Sequence, residues 1–389
     1  MKNSLGNPAR GEAFYDREKE IKKIYKVLET GSSIYLSAPR RVGKTSILKH
    51  LEEFPQKGYY FIYIITESVD RKNEFFKIVF EELVKSDAIK KLAKVSSAVK
   101  DTLTGLLSKV KKISDIEFRE GEDPDYFELL LELFSNVNEE HGRIVIMIDE
   151  FPQTILNILE KNEDGKGKES AQNFLQKNRE LRHHKNCQDK INFIYTGSVS
   201  LFPMVEIVTS LTAINDLRTV DVEPLEQKDA EKFLSLLLEN DGIVLNEQLL
   251  KYITEKIKWL IPFHLQMIEQ EIVDVFESSR KPIDKEAIEK AFDQIIHTRN
   301  RPQFEPYFSR LAKIFKNAEY EFVMEVLKTI AQNDAIESNE LHDIGVKYGI
   351  NEIKTIIAIL EGDGYIFSTG KTYNYTSPLL QLWCKKTYL

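Results

Sequence analysis

The stretch IYLSAPRRVGKTSILKHL, from Ile34 to Leu51, joins an apolar run to an amphipathic segment through a short loop. The apolar run predicts a buried strand, and the segment from Thr45 onward predicts a helix with one apolar face. A phosphate-binding loop requires this frame, because its backbone N–H groups and the N-terminus of the following helix must point at the phosphates. The candidate nucleotide-binding residues of this phosphate loop are Ala38, Pro39, Arg40, Arg41, Val42, Gly43, Lys44, Thr45 and Ser46.

The tripeptide Gly-Lys-Thr occurs a second time near the end of the chain, at residues 370–372. In that copy Tyr365 stands where the first glycine of a phosphate loop would fall, and the following residues YNYT favour a strand over a helix. We expect the second copy to form the turn of a hairpin. Only the first copy has the strand and helix that a phosphate site needs.

The first copy departs from the pattern GxxxxGK[ST] at one position, where Ala38 replaces the first glycine. Alanine is compatible with the loop if its φ is negative, whereas Gly43 must let the backbone approach the phosphates closely. Lys44 would bridge the β- and γ-phosphates of a nucleotide, and the hydroxyl of Thr45 would join the coordination shell of Mg²⁺.

A second apolar run, RIVIMIDE, ends in two acids and supplies the other component of such a site. Two carboxylates after a buried strand are costly unless they serve a cation or point into solvent. Asp149 suits a ligand that holds Mg²⁺ through water, and Glu150 suits the general base that polarises the attacking water. The alternative is that both acids lie on an exposed strand end.

The composition limits the class of protein. A chain of 389 residues suggests roughly two or three domains. The N-terminus has no apolar run and no run reaches 18 residues, so neither a secretory signal nor a membrane-spanning helix is expected. The two cysteines, Cys187 and Cys384, form no CxxC pair, which disfavours disulfides and structural zinc and fits the cytoplasm. The net charge of −8 argues against a general nucleic-acid coat protein.

Apolar runs alternate with amphipathic stretches from residue 13 to about residue 222, which is typical of a parallel sheet with crossover helices. The expected strands are residues 33–38, 59–65, 143–149, 191–197 and 218–222. Residues 226–297 predict only helices, and the two prolines of residues 298–306 indicate a linker. Residues 319–389 predict three helices, a hairpin and a closing segment, which together make a winged helix-turn-helix.

Residues 85–112 contain eight lysines (85, 90, 91, 94, 100, 109, 111 and 112) against Asp87 and Asp101, a local charge of 8 − 2 = +6. Such a charge run is typical of a solvated helical insertion before the next crossover helix. Contact with a nucleic acid or with an acidic partner stays open as the alternative.

Four segments together resemble a known superfamily: AFYDREKEI, SAPRRVGKTSIL, IVIMIDEFP and INFIYTGSVS. They look like the P-loop ATPases of the AAA+/STAND type, and the chain is similar to the archaeal-type, origin-recognition-related ATPases of prokaryotes. The resemblance continues through VEPLEQKDAEKFL, FEPYFSRLAKIF and GYIFSTGKTYNYTSPLLQLW. It implies ATP and Mg²⁺ as cofactors and an α/β parallel sheet of five strands in the order 5-1-4-3-2.

The expected domains follow from this resemblance. They are an N-terminal extension (1–12), a P-loop ATPase domain (13–225) with an insertion (85–125), a helical lid (226–300), and a linker helix with a winged helix (301–389).

The resemblance also implies roles for residues outside the two motifs. It places a polar sensor after the fourth strand, a role that Thr196 or Ser198 would fill, with Ser198 preferred. An arginine finger that acts on a neighbouring subunit would come from Arg179 or Arg182. An exposed basic helix end, favoured by the helix dipole, is the alternative for these arginines.

The expected lid departs from the family pattern. Pro262 matches the proline of a glycine-x-proline turn near the nucleotide base, but Leu260 replaces the glycine. The stretch also lacks the usual second-sensor arginine, which argues for slow hydrolysis rather than against binding. We expect His264, in the same stretch, to pack or hydrogen-bond within the lid.

These observations predict a slow Mg²⁺-dependent ATPase that acts as a nucleotide-controlled molecular switch and engages a protein partner. The ten acids and six lysines of residues 319–389 give a net charge of −4, which favours protein contact over DNA binding by the winged helix. A DNA-handling ATPase and a nucleotide-stabilised scaffold with negligible hydrolysis stay open, as does the oligomeric state.

Overall fold

The computed structural model describes residues 1–114, 124–137, 142–161, 165–188 and 190–389. The chain forms two compact units. We call them the sheet unit, made of Arg17–Ser37 and Ile47–Asp221, and the helical unit, made of Met1–Asp16, Ala38–Ser46 and Val222–Leu389.

The sheet unit is built on five parallel strands. They are β1 (Ile34–Ser37), β2 (Tyr59–Ile65), β3 (Arg143–Asp149), β4 (Ile191–Tyr195) and β5 (Arg218–Asp221). Their order is β2-β3-β4-β1-β5, which confirms the predicted order read from the opposite edge. Every residue of β3 after Arg143 is buried, as expected for an apolar strand with a neighbour on each side and helices on both faces.

Nine helices of the described residues complete the sheet unit. They are α1 (Glu18–Glu29), α2 (Lys44–Glu53, whose first residues belong to the helical unit), α3 (Lys72–Lys85), α4 (Asp87–Val95), α5 (Ser97–Ser114), α6 (Tyr126–Ser135), α7 (Phe151–Glu160), α8 (Gly167–His183) and α9 (Leu201–Val208). Aromatic rings fix the start of α7 against β4, with the ring centroids of Phe151 and Tyr195 4.5 Å apart. This packing holds the residues at the carboxyl end of β3.

The lysine-rich segment folds into α4 and α5, and residues 115–123 of the expected insertion lie outside the described residues. Acidic side chains neutralise part of its charge. Lys109 contacts Glu132 at 2.7 Å, Lys85 contacts Glu82 at 3.2 Å, and Lys90 lies 3.8 Å from an oxygen of Asp87. Ion pairs between exposed side chains, such as these, are typical of a solvated helical surface.

The helical unit continues with nine further helices and three short strands within the described residues. They are α10 (Gln227–Asn240), α11 (Glu247–Ile257), α12 (Pro262–Ser279), α13 (Lys285–Ile295), α14 (Arg301–Ile314), α15 (Ala318–Asn333), β6 (Ile336–Glu337), α16 (Ser338–Lys347), α17 (Ile353–Gly362), β7 (Ile366–Ser368), β8 (Thr372–Tyr375) and α18 (Pro378–Tyr388). The predicted helices between residues 226 and 297 are present, and β7 and β8 form the expected hairpin.

The prediction of a linker at residues 298–306 is wrong, because this segment is a 3-10 turn followed by the first half of α14. Pro302 lies in the first turn of α14, where a backbone N–H has no partner within the helix. Pro306 lies further inside the helix and removes one hydrogen bond without ending it. Stacking of Phe304 on Trp383, with ring centroids 4.9 Å apart, fixes α14 against α18.

The second Gly-Lys-Thr copy forms the turn between β7 and β8, as the sequence predicts. Gly370 has a φ of +89°, in the left-handed region that favours glycine. The N–H of Thr369 donates to the carbonyl of Thr372 across the turn, at 2.9 Å. This copy has no helix behind it and offers no phosphate site.

The N-terminal segment Met1–Asp16 lies against α10 and α12. The side-chain amide of Asn3 donates to the carbonyl of Gln266 at 2.9 Å, and Gln266 donates to the hydroxyl of Ser4 at 3.1 Å. The N–H of Ala9 donates to the hydroxyl of Ser46, at the start of α2, at 2.9 Å. The extension therefore contributes contacts to the residues that follow the phosphate loop.

Two further properties concern the described residues as a whole. None of their helices combines the length and the apolar character needed to cross a membrane. They also contain no group of three or more His, Cys, Asp or Glu side chains placed to hold a metal ion.

Candidate nucleotide-binding site

The phosphate loop leaves β1 after Ser37 and enters α2 at Lys44, which is the predicted strand–loop–helix frame. Gly43 has a φ of +113°, a conformation that L side chains rarely adopt. Ala38 keeps a negative φ, which is the condition under which alanine can replace the first glycine of the pattern. Arg41 has a φ of +64°, and a non-glycine residue in this region costs about 1–3 kcal/mol unless its surroundings hold it there.

The side chain of Lys44 is buried and turned back along its own loop. Its ammonium donates hydrogen bonds to the carbonyl oxygens of Ala38, at 2.6 Å, and Pro39, at 2.9 Å. Phosphate oxygens carry negative charge and therefore attract the ammonium more strongly than neutral carbonyl oxygens do. The ammonium can therefore exchange these bonds for phosphate, and the exchange would change the contacts within the loop.

The two arginines of the loop are held by helices of the helical unit. Arg40 donates to the carbonyl of Pro306 in α14 at 3.1 Å. Arg41 donates to the side chain of Gln303 in α14 at 3.2 Å, and its guanidinium carbon lies 3.8 Å from the ring centroid of Phe263 in α12. Burial lowers the pKa of Arg41, which nonetheless remains a cation at neutral pH because arginine titrates far above 7. These contacts explain how the strained backbone of Arg41 persists.

The ring of Pro39 packs against Gly364, which follows α17. A Cβ placed on Gly364 would lie 2.7 Å from the Cβ of Pro39 and 3.1 Å from the ring of Trp259. The φ of Gly364 is +80°, so both its conformation and its surroundings require glycine. The tip of the phosphate loop is thus packed against residues from two distant parts of the chain.

The residues between α11 and α12 show where the unusual lid sequence lies. Pro262 occupies the first turn of α12, and the carbonyl of Leu260, which replaces the expected glycine, accepts from the N–H of Leu225 at 2.9 Å. His264 is buried with its Nδ1 3.3 Å from the carbonyl of Trp259, in agreement with the packing role expected from the sequence. Burial and then the positive charge of Arg41 lower the pKa of His264 to about 4.

In the sheet unit, Asp149 ends β3 with its carboxylate buried and oriented. Its Oδ2 accepts from the hydroxyl of Tyr63 at 2.9 Å, and its Oδ1 accepts from the N–H of Glu150 at 3.0 Å. The carbonyl of Asp149 accepts from the N–H of Thr66 at 3.0 Å. Carboxylate oxygens held in this way suit a hard cation such as Mg²⁺.

Glu150 has a left-handed backbone conformation, with a φ of +62°, at the N-terminus of α7. Its Oε2 accepts from both the N–H of Ser198, at 2.9 Å, and the hydroxyl of Ser198, at 2.8 Å. Gly197 permits this approach, because a Cβ there would lie 2.6 Å from Pro152 and 3.3 Å from the Cα of Glu150. The structure therefore brings together the candidate base and the preferred sensor residue.

The other sensor candidate, Thr196, lies differently. Its side chain is fully buried, and its hydroxyl donates to the carbonyl of Leu36 in β1 at 2.8 Å. This bond ties β4 to β1 within the sheet. Of the two candidates, Ser198 is the one whose hydroxyl contacts Glu150.

The placement of Arg182 does not support the expected arginine finger. Its side chain is 3% exposed, and its guanidinium donates to both carboxylate oxygens of Asp216, at 2.6 and 2.9 Å, and to the carbonyl of Ala213 at 3.0 Å. A guanidinium committed to a buried bidentate pair cannot reach a neighbouring subunit without breaking that pair. Arg179, one turn earlier in α8, is half-buried.

The strand–loop–helix frame and the acids after β3 define a P-loop nucleotide-binding protein. Comparison with family models agrees, since a model described as an ATPase domain predominantly from Archaea matches residues 14–249. The match spans more than half of the chain, so the chain belongs to this ATPase family and is an ATP-binding ATPase. A comparison with curated protein sequences gives no match.

Solved structures share the fold. The Walker-type ATPase PABY2304 of Pyrococcus abyssi is 18% identical, with a TM-score of 0.65 over 99% of this chain and 100% of that chain. The ORC2 protein of Aeropyrum pernix, in its ADPNP–ADP complexes, is 10% identical, with a TM-score of 0.53 over 97% of this chain and 95% of that chain. At these identities the comparison supports the P-loop ATPase fold alone.

Sequence reasoning missed several residues that orient the site. Tyr63 looks like an ordinary strand residue, although it contacts Asp149 two positions beyond its opposite residue on β3, Met147. Gly364 looks like a turn glycine, although it packs on Pro39. The period-two spacing of Tyr63 and Asp149 on one sheet face could have suggested the first contact once the strands were paired.

Proposed function

We propose that this ATPase is a slow, Mg²⁺-dependent molecular switch, in which the phosphate loop transmits the presence of ATP to the helices of the helical unit. The observation that carries the proposal is the attachment of Arg40 and Arg41 to α14 and α12. These arginines lie within the loop that would surround the phosphates. A change in loop conformation therefore alters contacts made by two helices at once.

The residues of the motifs fit ATP and its metal ion. The loop supplies a glycine at φ +113° and the Lys44 ammonium for phosphate, and Thr45 at the start of α2 supplies a hydroxyl. β1 and β3 are parallel strands of one sheet, so Asp149 and the start of the loop belong to the same sheet edge. Thr45 and Asp149 would hold Mg²⁺, which neutralises charge on the phosphates when bound. Pro262 would contribute to the nucleotide-base side.

Glu150 is the group we assign to proton transfer. Its carboxylate would accept a proton from the attacking water, in the role of a general base. Both hydrogen bonds from Ser198 end on Oε2 and hold the carboxylate of Glu150 in one orientation. We propose slow hydrolysis because the stretch around Pro262 lacks the usual second-sensor arginine.

The C-terminal part of the chain is the region we assign to partner binding. We propose that α10–α13 act as the lid, and that α15–α17 with the β7–β8 hairpin form a winged helix. The recognition helix of that domain would be α17, in which Ile356, Ile357, Ile359 and Leu360 are buried. The net charge of −4 over residues 319–389 favours a protein partner over DNA.

The fluorescence of Trp259 provides a direct test, because its ring lies beside Gly364 and Pro39. The only other tryptophan, Trp383, is replaced by phenylalanine in all proteins compared. ATP with Mg²⁺ should change the Trp259 emission, and Lys44→Ala should abolish the change together with nucleotide binding. The matched control is Lys371→Ala, in the other Gly-Lys-Thr copy, which should respond as the parent does.

Glu150→Gln separates binding from turnover. This variant should bind ATP and keep the altered Trp259 emission, whereas the parent returns to its starting emission as ATP is consumed. Hydrolysis by Glu150→Gln at the parental rate would refute the assigned base. ATP binding without any Trp259 response would refute the switch. A protein partner would then be sought among proteins that co-purify with Glu150→Gln in the presence of ATP.

A further inference from the structure

Tyr63 connects the candidate Mg²⁺ ligand to the helix that follows the phosphate loop. Its phenolic hydroxyl donates to the Oδ2 of Asp149 at 2.9 Å. The ammonium of Lys49, in α2, lies 3.4 Å from the centroid of the Tyr63 ring. Glu52, one turn along α2, pairs with Lys49 at 3.0 Å and accepts from the backbone N–H of Tyr63, also at 3.0 Å.

These contacts fix the phenol from three directions. The backbone of Tyr63 is held in β2 between the ladder with β3 and the carboxylate of Glu52. The cation over its ring is attracted by the negative face of the aromatic system. The hydroxyl can therefore hold one oxygen of Asp149 in a single direction.

We propose that Tyr63 is a positioning residue that orients Asp149 for Mg²⁺ and so sets the Mg²⁺ concentration at which nucleotide binds tightly. The proposal rests on the assignment of Asp149 as a Mg²⁺ ligand. The N–H of Glu150 donates to Oδ1 and the phenol donates to Oδ2, so hydrogen bonds on both oxygens restrain the rotation of the carboxylate plane. Lys49 and Glu52 extend this control to α2, which begins with the phosphate-binding residues Lys44 and Thr45.

A structural role alone makes a different prediction. The ring of Tyr63 packs in the sheet unit whether or not it has a hydroxyl, so Tyr63→Phe keeps the ring and the cation above it. If the hydroxyl served only stability, its removal would lower the melting temperature and leave the Mg²⁺ dependence unchanged. Residues that orient metal ligands typically change metal affinity by about 10- to 100-fold when they are replaced.

The test is a Mg²⁺ titration of the binding of a fluorescent ATP analogue, which needs no turnover. In Tyr63→Phe the Mg²⁺ midpoint should rise about tenfold, while analogue affinity in EDTA stays at the parental value. In Lys49→Met, which keeps the aliphatic stem and removes the charge, the midpoint should rise about threefold. Tyr60→Phe removes a hydroxyl from the same strand and should leave the midpoint unchanged.

The outcomes separate this inference from the proposed function. If Asp149→Asn keeps the parental Mg²⁺ midpoint, the assignment of Asp149 as a ligand is wrong and the inference falls with it. If Asp149→Asn loses the Mg²⁺ response and Tyr63→Phe keeps the parental midpoint, only the role of Tyr63 is refuted. Should Tyr63→Phe fail to fold, Lys49→Met decides, and an unchanged midpoint in that variant overturns the proposal.

Discussion

Replacing Arg182 by alanine distinguishes a structural arginine from an arginine finger. In the structure this guanidinium joins α8 to Asp216, which lies just before β5, through two hydrogen bonds, with a third to the carbonyl of Ala213. Burial alone would raise the pKa of Asp216, but the hydrogen bonds and charge of Arg182 outweigh it and lower that pKa. Arg182→Ala therefore removes the guanidinium from this largely buried carboxylate and leaves the half-exposed ring of His183 beside it, 3.6 Å from Oδ2.

The expected loss is large. Removing one partner of a buried ion pair costs about 3–5 kcal/mol. A domain of this size loses about 2–4 °C of melting temperature per kcal/mol, so Arg182→Ala should melt roughly 6–20 °C below the parent. The stabilisation by the pair is present above the unfolded carboxyl pKa of about 3.9 and is lost as the pH falls through the lower folded pKa. The difference in melting temperature between Arg182→Ala and the parent should accordingly become smaller below about pH 4.

The assay is thermal unfolding at pH 7, followed by near-ultraviolet circular dichroism, with ATP hydrolysis measured at a temperature where both proteins are folded. Arg179→Ala, in the same helix but half-buried, is the matched control and should melt within about 1 °C of the parent, since substitutions at partly exposed positions have small effects. If Arg182→Ala melts at the parental temperature and has lost ATP hydrolysis, the guanidinium acts on the reaction and our reasoning is refuted.

Three further predictions follow from other contacts. Burial lowers the pKa of His264 to about 4, so the protein should lose about 1 kcal/mol of stability per pH unit as the pH falls from about 6.5 to 4, because only the unfolded state binds the proton there. Urea unfolding of His264→Gln should show a flatter pH dependence. Gly364→Ala combines a positive φ with a Cβ 2.7 Å from Pro39 and should cost about 2–4 kcal/mol and weaken ATP binding. The control Gly242→Ala, with a φ of +73° and no atom within 4 Å of its added Cβ, should cost about 1 kcal/mol and leave ATP affinity unchanged. A fluorescence-polarisation titration with duplex DNA at about 50 mM salt should show weak binding, and tight binding with a steep salt dependence would contradict the preference for a protein partner.

The strands of the sheet could be predicted because each of them corresponds to a short stretch of sequence that is recognisable on its own. An apolar run such as RIVIMID is long enough for one strand, is bounded by polar residues, and needs no knowledge of its neighbours. The linker at residues 298–306 was wrongly predicted for the same local reason. Two prolines close together in a sequence predict that a helix is interrupted. Pro302, however, lies in the first turn of α14, and Pro306 removes only one hydrogen bond from that helix. The contact of Phe304 with Trp383 holds α14 in place.

The sequence provided candidates for the site through its two motifs and, for Ser198, through the family resemblance. Lys44, Asp149 and Glu150 were identified because each stands at the junction of an element with a loop. The partners that orient them come from far along the chain, such as Ser198 for Glu150 and Tyr63 for Asp149. A periodic pattern predicts which face of a helix or strand a residue occupies. It does not predict which residue from another part of the chain that residue contacts. The burial of Arg182 escaped prediction for this reason, since an arginine near a helix end usually lies in solvent.

The charged groups of the two motifs all form hydrogen bonds with other groups of the protein. This property bears on whether the ATPase is suited to rapid turnover or to switching. The ammonium of Lys44 donates to two carbonyl oxygens of its own loop. The carboxylate of Asp149 accepts from the hydroxyl of Tyr63, and that of Glu150 accepts from the hydroxyl of Ser198. An enzyme built for rapid turnover has its groups preorganised toward the transition state and reorganises little. In the proposed switch, the phosphates would compete with the two carbonyl oxygens that bind Lys44, which would lower the net gain of binding. A switch benefits from the same arrangement, because a ligand shifts a conformational equilibrium only by the difference between its interactions in the two states. An exchange of the bonds of Lys44, close to arginines that contact α12 and α14, would provide such a difference in the proposed switch.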